Sequence, residues 1–216
     1  MGFSRVVLAR EINKGELEYI VKNSPIETEL FVHGALCMCV SGQCQLSAAL
    51  GGRSGNRGLC AQPCRLPFKV HGGTGNDLSL KDLSLIERLP ELQSIGVTSF
   101  KIEGRMKRPE YVAGTVTACR EALDNTLRKE RLDDLQKLFS RSGFTSGYYD
   151  NMLGRTMFGV RNRDDVVSAA DVLGEYKNLY QKQFKSRKVK FEFTAKLNEK
   201  PVLFALSSGK SAAVKG

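Results

Sequence analysis

No apolar run in this sequence approaches the ~18 residues that a membrane-crossing helix needs. Its first residues, Met1 to Glu11, carry only a brief Val-Val-Leu-Ala run between Arg5 and Arg10. That run is too short for the core of a secretory leader and is followed by no cleavage-like tail, so a cytosolic protein is expected. No HExxH pair and no evident Ser-His-Asp set is present, which removes two common hydrolytic centres. Internal repeats and low-complexity segments are also missing. Acidic residues are in deficit, with 23 Asp+Glu against 33 Lys+Arg and a net charge of +10. That excess suits a polyanionic partner such as RNA, the plain alternative being a basic surface kept for solubility. Much of it lies in Arg105–Arg108 and Lys182–Lys190, not along one helix face.

Hydrophobic content of 41% and charged content of 26% over 216 residues describe an ordinary globular chain, with one good core or one domain and part of a second. Arg5–Ala9 reads as a short buried strand. Asn13–Asn23 reads as a helix with Asn13 as N-cap and Leu17, Ile20 and Val21 on one face. Glu29–His33 is a second strand. A glycine-rich stretch, 34–75, follows; a loop of that length inside a compact domain is usually functional or braced. Leu83, Ile86, Leu89 and Leu92 recur at helical spacing and predict a helix over Ser79–Ser94, bent or restarted at Pro90 and ended by Gly96. Val97–Ile102 is a third strand, and Pro109–Asp124 and Arg131–Ser140 are helices, with Ser142–Tyr149 a loop. Strands separated by helices imply a parallel sheet with crossover connections. Asp164–Phe184 predicts a helix. Lys188–Leu197 and Val202–Ser207 alternate around an Asn-Glu-Lys-Pro turn as a β-hairpin, and Ala212–Val214 adds strand-like residues. The expected organisation is an α/β region over 1–160, a helical connector over 161–187 and the start of a small β-rich domain over 188–216.

Cysteine is concentrated in one place. Five of the six lie within 28 residues: Cys37, Cys39 and Cys44, then fifteen residues, then Cys60 and Cys64. In a reducing compartment, clustered cysteines are more often metal ligands or catalytic thiols than disulfides. Four soft thiolates suit zinc or an iron–sulfur cluster. Zinc knuckles usually use two-residue spacers, and the spacers here are longer, which leans toward iron–sulfur while leaving zinc open. Gly42, Gly51, Gly52, Gly55 and Gly58 allow tight turns, and Arg53, Arg57 and Arg65 can offset thiolate charge. Buried free cysteines are the bland alternative, poorly suited to so polar a loop. Cys119 is expected to be a core residue, sharing a helix face with Val112, Val116 and Leu123.

The segments Glu29–Cys37, Ser41–Ser47 and Asn56–Arg65, followed by Leu80–Ile86 and Gly96–Lys107, resemble in order the signature of the collagenase-like peptidase family U32, over roughly Val6 to Phe158. Within it the chain is most similar to the branch that hydroxylates a cytidine of large-subunit ribosomal RNA. The resemblance implies a TIM-like (β/α) barrel, RNA base hydroxylation, and a [4Fe–4S] cluster on four cysteines. Prephenate, a small anion, is implied as a co-substrate. Cys37, Cys44 and Cys60 match ligand positions; Ser84 stands where some relatives carry the last one, so Cys64 is the expected replacement and Cys39 the spare. Against the family, the chain starts about two-thirds of the way through such a barrel. It is therefore expected to be a fragment, a split gene product or a truncated frame, with a raw edge that a partner chain would cover. A collagenase-like peptidase and a non-catalytic metal- or RNA-binding remnant are the rival functions.

By the rule that barrel sites gather at the C-terminal ends of strands, Arg10, Glu11, His33, Lys101, Glu103 and Arg105 are expected at one mouth with the cysteine loop. His33 is a candidate proton carrier or ligand-orienting group. Glu103 and Arg105 are candidates for a small anion or for each other, and Lys107 and Arg108 for RNA phosphate. Tyr148 and Tyr149 either stack on a base or pack.

Overall fold

The computed structural model describes residues 2–104, 107–181, 189–196, 199–207 and 210–215. It divides into two compact units, Met1–Tyr180 and Gln181–Gly216.

In the first unit the chain runs β1 (Arg5–Val7), α1 (Lys14–Asn23), β2 (Glu27–Ala35), a short α2 (Leu46–Gly51), β3 (Asp82–Ser84), α3 (Leu89–Ile95), β4 (Ser99–Ile102), α4 (Pro109–Leu123), α5 (Lys129–Leu138), β5 (Phe144–Thr145) and α6 (Arg163–Gln181). The central strand is β2. Glu29 pairs with both Val7 and Ser99, which puts β1 and β4 on opposite edges of β2, each parallel to it. His33 pairs with Ser84 as well as Ile102, so β3 runs antiparallel beside the last residues of β2. β5 adds to β3 in parallel. The result is a mixed α/β sheet of five strands, not the three parallel strands that the helix spacing implied, and barrel closure is not seen among the described residues.

Helix α1 starts where local chemistry dictates. The Asn13 side chain accepts from the Glu16 backbone N–H, and Glu16 accepts from the Asn13 N–H, a reciprocal cap at the first turn. The helix expected over 79–94 is a correction. Asp82–Ser84 is strand, a single 3₁₀ turn covers Ile86–Arg88, and α3 begins only at Leu89. Pro90 has no N–H to give an earlier turn but fits a first turn, so the helix starts there. Leu83, Ile86, Leu89 and Leu92 are all buried, the first from a strand and the others from helical turns.

Alternate residues of β2 face opposite ways. Leu30 and Val32 join Leu17, Leu89, Leu92, Ala118 and Ala122 in the core. Glu29 and Phe31 lie on the other face with Arg5 and Lys101, which both pair with Glu29. The buried face of α4 is Tyr111, Thr115, Ala118 and Ala122; Val112 and Val116 are exposed, contrary to the face expected for Cys119. The smaller stripe wins because it allows close approach: a Cβ on Gly114 would come within 2.7 Å of the Tyr176 ring. Tyr176 of α6 is fully buried, and its hydroxyl accepts from Arg131 at 2.7 Å and reaches Asp134 at 3.1 Å. Arg131 in turn pairs with Glu121 at 3.0 Å. Residues 163–180, read from the sequence as a connector, are thus fastened into the first unit. Cys119 packs partly buried against the core, and burial pushes its thiol pKa up to about 11.

The second unit is an antiparallel meander, β6 (Lys190–Thr194), β7 (Val202–Ser207) and β8 (Lys210–Lys215). Phe191 pairs with Ala205 and Phe193 with Leu203, following the alternation in the sequence.

Candidate functional site

The C-terminal ends of three parallel strands open onto one cavity of about 400 Å³. Arg10 follows β1, Leu36 and Cys37 follow β2, and Glu103, Gly104 and Lys107 follow β4. Cys60, Cys64, Asn56 and Arg65 reach it from the long loop, and Phe139 and Arg141 from the segment after α5. Gly34, at φ 126°, makes the approach possible: a Cβ there would meet the Glu103 carbonyl at 2.5 Å. The Glu103 N–H donates to the His33 carbonyl at 2.8 Å, locking β2 to the turn after β4.

The cysteine loop is held at both ends. Near its start, the Ser41 N–H and hydroxyl both donate to Glu11, at 3.1 and 2.9 Å. Toward its other end, Arg65 donates to the carbonyls of Leu36 and Leu80 and to the Ser79 hydroxyl. Between these anchors Gln62 adopts a left-handed conformation at φ 57°, and Cys60 and Cys64 on either side of it both line the cavity. The Gln62 N–H donates to Cys60 Sγ at 3.3 Å, and the Ser47 hydroxyl lies 3.7 Å from the same sulfur. Donors aimed at sulfur stabilise thiolate ligands.

Cys37 is exposed at the rim. The atoms around it still push its thiol pKa up, opposed by Arg10 and Arg65 and assisted by Cys64 and Cys60. Cys37, Cys60 and Cys64 all line the same cavity. Cys44 and Cys39 are partly buried on the loop but do not line the cavity. Among the described residues, no three His, Cys, Asp or Glu side chains stand close enough to hold a metal ion as placed. The donor chemistry fits a soft metal centre, with three thiols, N–H donors to sulfur and flanking guanidinium groups, whereas a closed ligand shell is not formed. Ser84 lies away from these sulfurs, lining a separate small cavity with Glu87, Arg88 and Ser146.

Of the strand-end candidates, Arg10 and Glu103 do meet in the cavity wall, 3.4 Å apart, with Arg10 stacked on Phe31. Glu11 anchors the loop. Lys101 turns to Glu29 at 3.0 Å and does not line the cavity. Arg105 lies outside the described residues. His33 is buried against Phe144 and Tyr111, both ring nitrogens lack partners among the described residues, and burial pulls its pKa down to about 3. Tyr149 is buried, its hydroxyl donating to Glu91 at 3.2 Å, so it packs and is not free to stack on a base.

Three participants were not legible as a group. Asp82, buried in β3, pairs at 2.5 Å with Arg141, which lines the cavity. Lys107 lies over the Phe139 ring and makes no ion pair among the described residues. They come from 82, 107 and 141 in the chain; the only signal was the Leu80–Ile86 segment of the family resemblance, which helical spacing disguised.

The family model for peptidase family U32 matches residues 1–158. The chain belongs to that family. It is 36% identical to tRNA hydroxylation protein P1 of Bacillus subtilis, over 71% of this chain and 43% of that protein. It is 40% identical to the 23S rRNA 5-hydroxycytidine synthase of Escherichia coli, over 69% of this chain and 23% of that one. A collagenase of Porphyromonas gingivalis is 38% identical, over 67% and 41%. The chain therefore spans less than half the length of these U32 relatives. No solved structure matches it. None of the helices among the described residues is long and apolar enough to cross a membrane.

Proposed function

We propose that this U32 chain carries the thiolate-bearing part of an RNA base hydroxylase. The observation that carries the reading is the gathering of Cys37, Cys60 and Cys64 with Arg10, Arg65 and Arg141 around one cavity at parallel strand ends. Cys37, Cys60 and Cys64 would hold a [4Fe–4S] cluster, with Cys44 brought in from the same loop as the fourth ligand. When bound, such a cluster supplies one-electron chemistry. The chain's own residues would do the rest. Arg10 and Arg141 would receive a small anionic co-substrate such as prephenate, Phe139 would keep water from its apolar side, and the net positive charge would favour RNA phosphate. Relatives named for tRNA and rRNA hydroxylation support this reading.

The peptidase reading has the collagenase relative in its favour. A cysteine peptidase needs a thiolate beside an imidazole. Here the Cys37 thiol pKa is raised and His33 is buried between aromatic rings, which disfavours that chemistry.

Two measurements test the reading. Anaerobic reconstitution should give about four irons per chain with matching sulfide; one zinc and no visible absorbance would reject the cluster. Nucleoside mass spectrometry of ribosomal and transfer RNA from a deletion strain should show loss of a hydroxylated base, and unchanged hydroxynucleosides would reject the RNA substrate. Gelatin cleavage abolished by Cys37→Ala would favour the peptidase instead.

A further inference from the structure

We propose that Lys107 is an imine-forming amine, taking up the carbonyl carbon of a small oxo acid whose carboxylate faces Arg10 and Arg141. The geometry comes first. Lys107 lines the cavity, its Nζ lies over the Phe139 ring and 5.5 Å from the centre of the Tyr111 ring, and no acid pairs with it among the described residues. A lysine so placed has lost water without gaining a carboxylate. Arg141 spends one guanidinium nitrogen on Asp82, and Arg10 stacks on Phe31 and gives one nitrogen to Glu103 at 3.4 Å, so each has other N–H donors left for a ligand carboxylate at the same wall.

The charges around Lys107 agree with this. Burial is the main cause that brings its pKa down to about 7; Arg141, Arg161 and Arg65 lower it further, and Asp82 opposes them. Glu103 shares the cavity wall, and neighbouring His33 is held neutral by its own burial. An amine with that pKa is about half unprotonated near pH 7, a free-amine fraction roughly a thousandfold above that of an ordinary surface lysine. Desolvated lysines beside other cations are the kind used as carbonyl nucleophiles. The step balances without an oxidant: the nitrogen lone pair attacks the carbonyl carbon, the oxygen leaves as water with two protons from the amine, and a C=N bond remains.

The test uses the full chain, pyruvate as probe, and sodium borohydride, whose hydride reduces the C=N bond to a stable secondary amine. Peptide mass spectrometry should find one reduced pyruvate adduct at Lys107, formed at least about tenfold faster than at exposed Lys137, with the rate levelling off above about pH 7. Lys107→Arg should abolish it. Adducts scattered over surface lysines, with Lys107 no faster than Lys137, would overturn the assignment. Should Lys107→Arg not fold, the site map and pH profile of the unmutated chain decide alone. The readout is on the protein, so a Lys107 adduct with unchanged RNA nucleosides would sink only the RNA reading, and lost hydroxylation without an adduct would sink only this one.

Discussion

Removing the Asp82 carboxylate should damage the fold more than its size suggests. Asp82 is 1% exposed and the Arg141 side chain 8%, and the two meet at 2.5 Å. Cutting one member of such a pair leaves the other charge buried and uncompensated, which typically costs about 3–5 kcal/mol. Asp82→Ala and Arg141→Met should each lose about that much. The pair is not worth the same amount in net terms, because Asp82 Oδ2 has no partner among the described residues and both charges had to leave water. The double variant should therefore lose far less than the sum of the two. For a chain of this length, Asp82→Ala corresponds to a fall in Tm of roughly 10 °C. With no tryptophan in the sequence, urea unfolding is best followed by far-ultraviolet circular dichroism. Single losses below about 1 kcal/mol with an additive double variant would refute the reasoning, because a solvated pair behaves that way.

Further outcomes follow from other positions. His33 titrates at about 3 when folded and near 6.5 when unfolded, so the folded state binds fewer protons between these values. Stability present above pH 6.5 should fall as pH drops toward 3, by up to about 1.4 kcal/mol per pH unit, and His33→Phe should flatten that part of the slope in urea midpoints. Gly34→Ala combines a positive φ with contacts of 2.5 and 2.7 Å to Glu103 and should cost about 2–4 kcal/mol in the same assay. Gly114→Ala, against the Tyr176 ring, should cost about 1–3 kcal/mol and loosen α6, seen as faster amide exchange over that helix. Cys60→Ala should abolish iron retention after anaerobic reconstitution while Cys119→Ala preserves it; equal iron in both would contradict the assignment of ligands.

Local features were readable and distant ones were not. The α1 N-cap is written in Asn13, and the β6–β7 pairing in strict alternation. The long loop announced itself by its glycines and cysteines. β3 was hidden because a strand of three residues leaves no periodic trace, while Leu83, Ile86, Leu89 and Leu92 imitate a helix. The face of α4 misled because Val112 and Val116 are more apolar than Thr115 and Ala118, yet close packing against Tyr176 favours the smaller pair. Of the site, the thiols and Arg10 were legible by type. The grouping of Asp82, Lys107 and Arg141 was not, since only tertiary folding brings such separated positions together.

The Arg65 guanidinium binds backbone on both shores of the cysteine excursion, at Leu36 before it and Leu80 after it. One side chain thus acts as a drawstring on the excursion, and it emerges directly beside Cys64. The entropy of drawing the loop shut is then met when the polypeptide folds. Cys37, Cys60 and Cys64 are thereby brought to one opening by the fold itself.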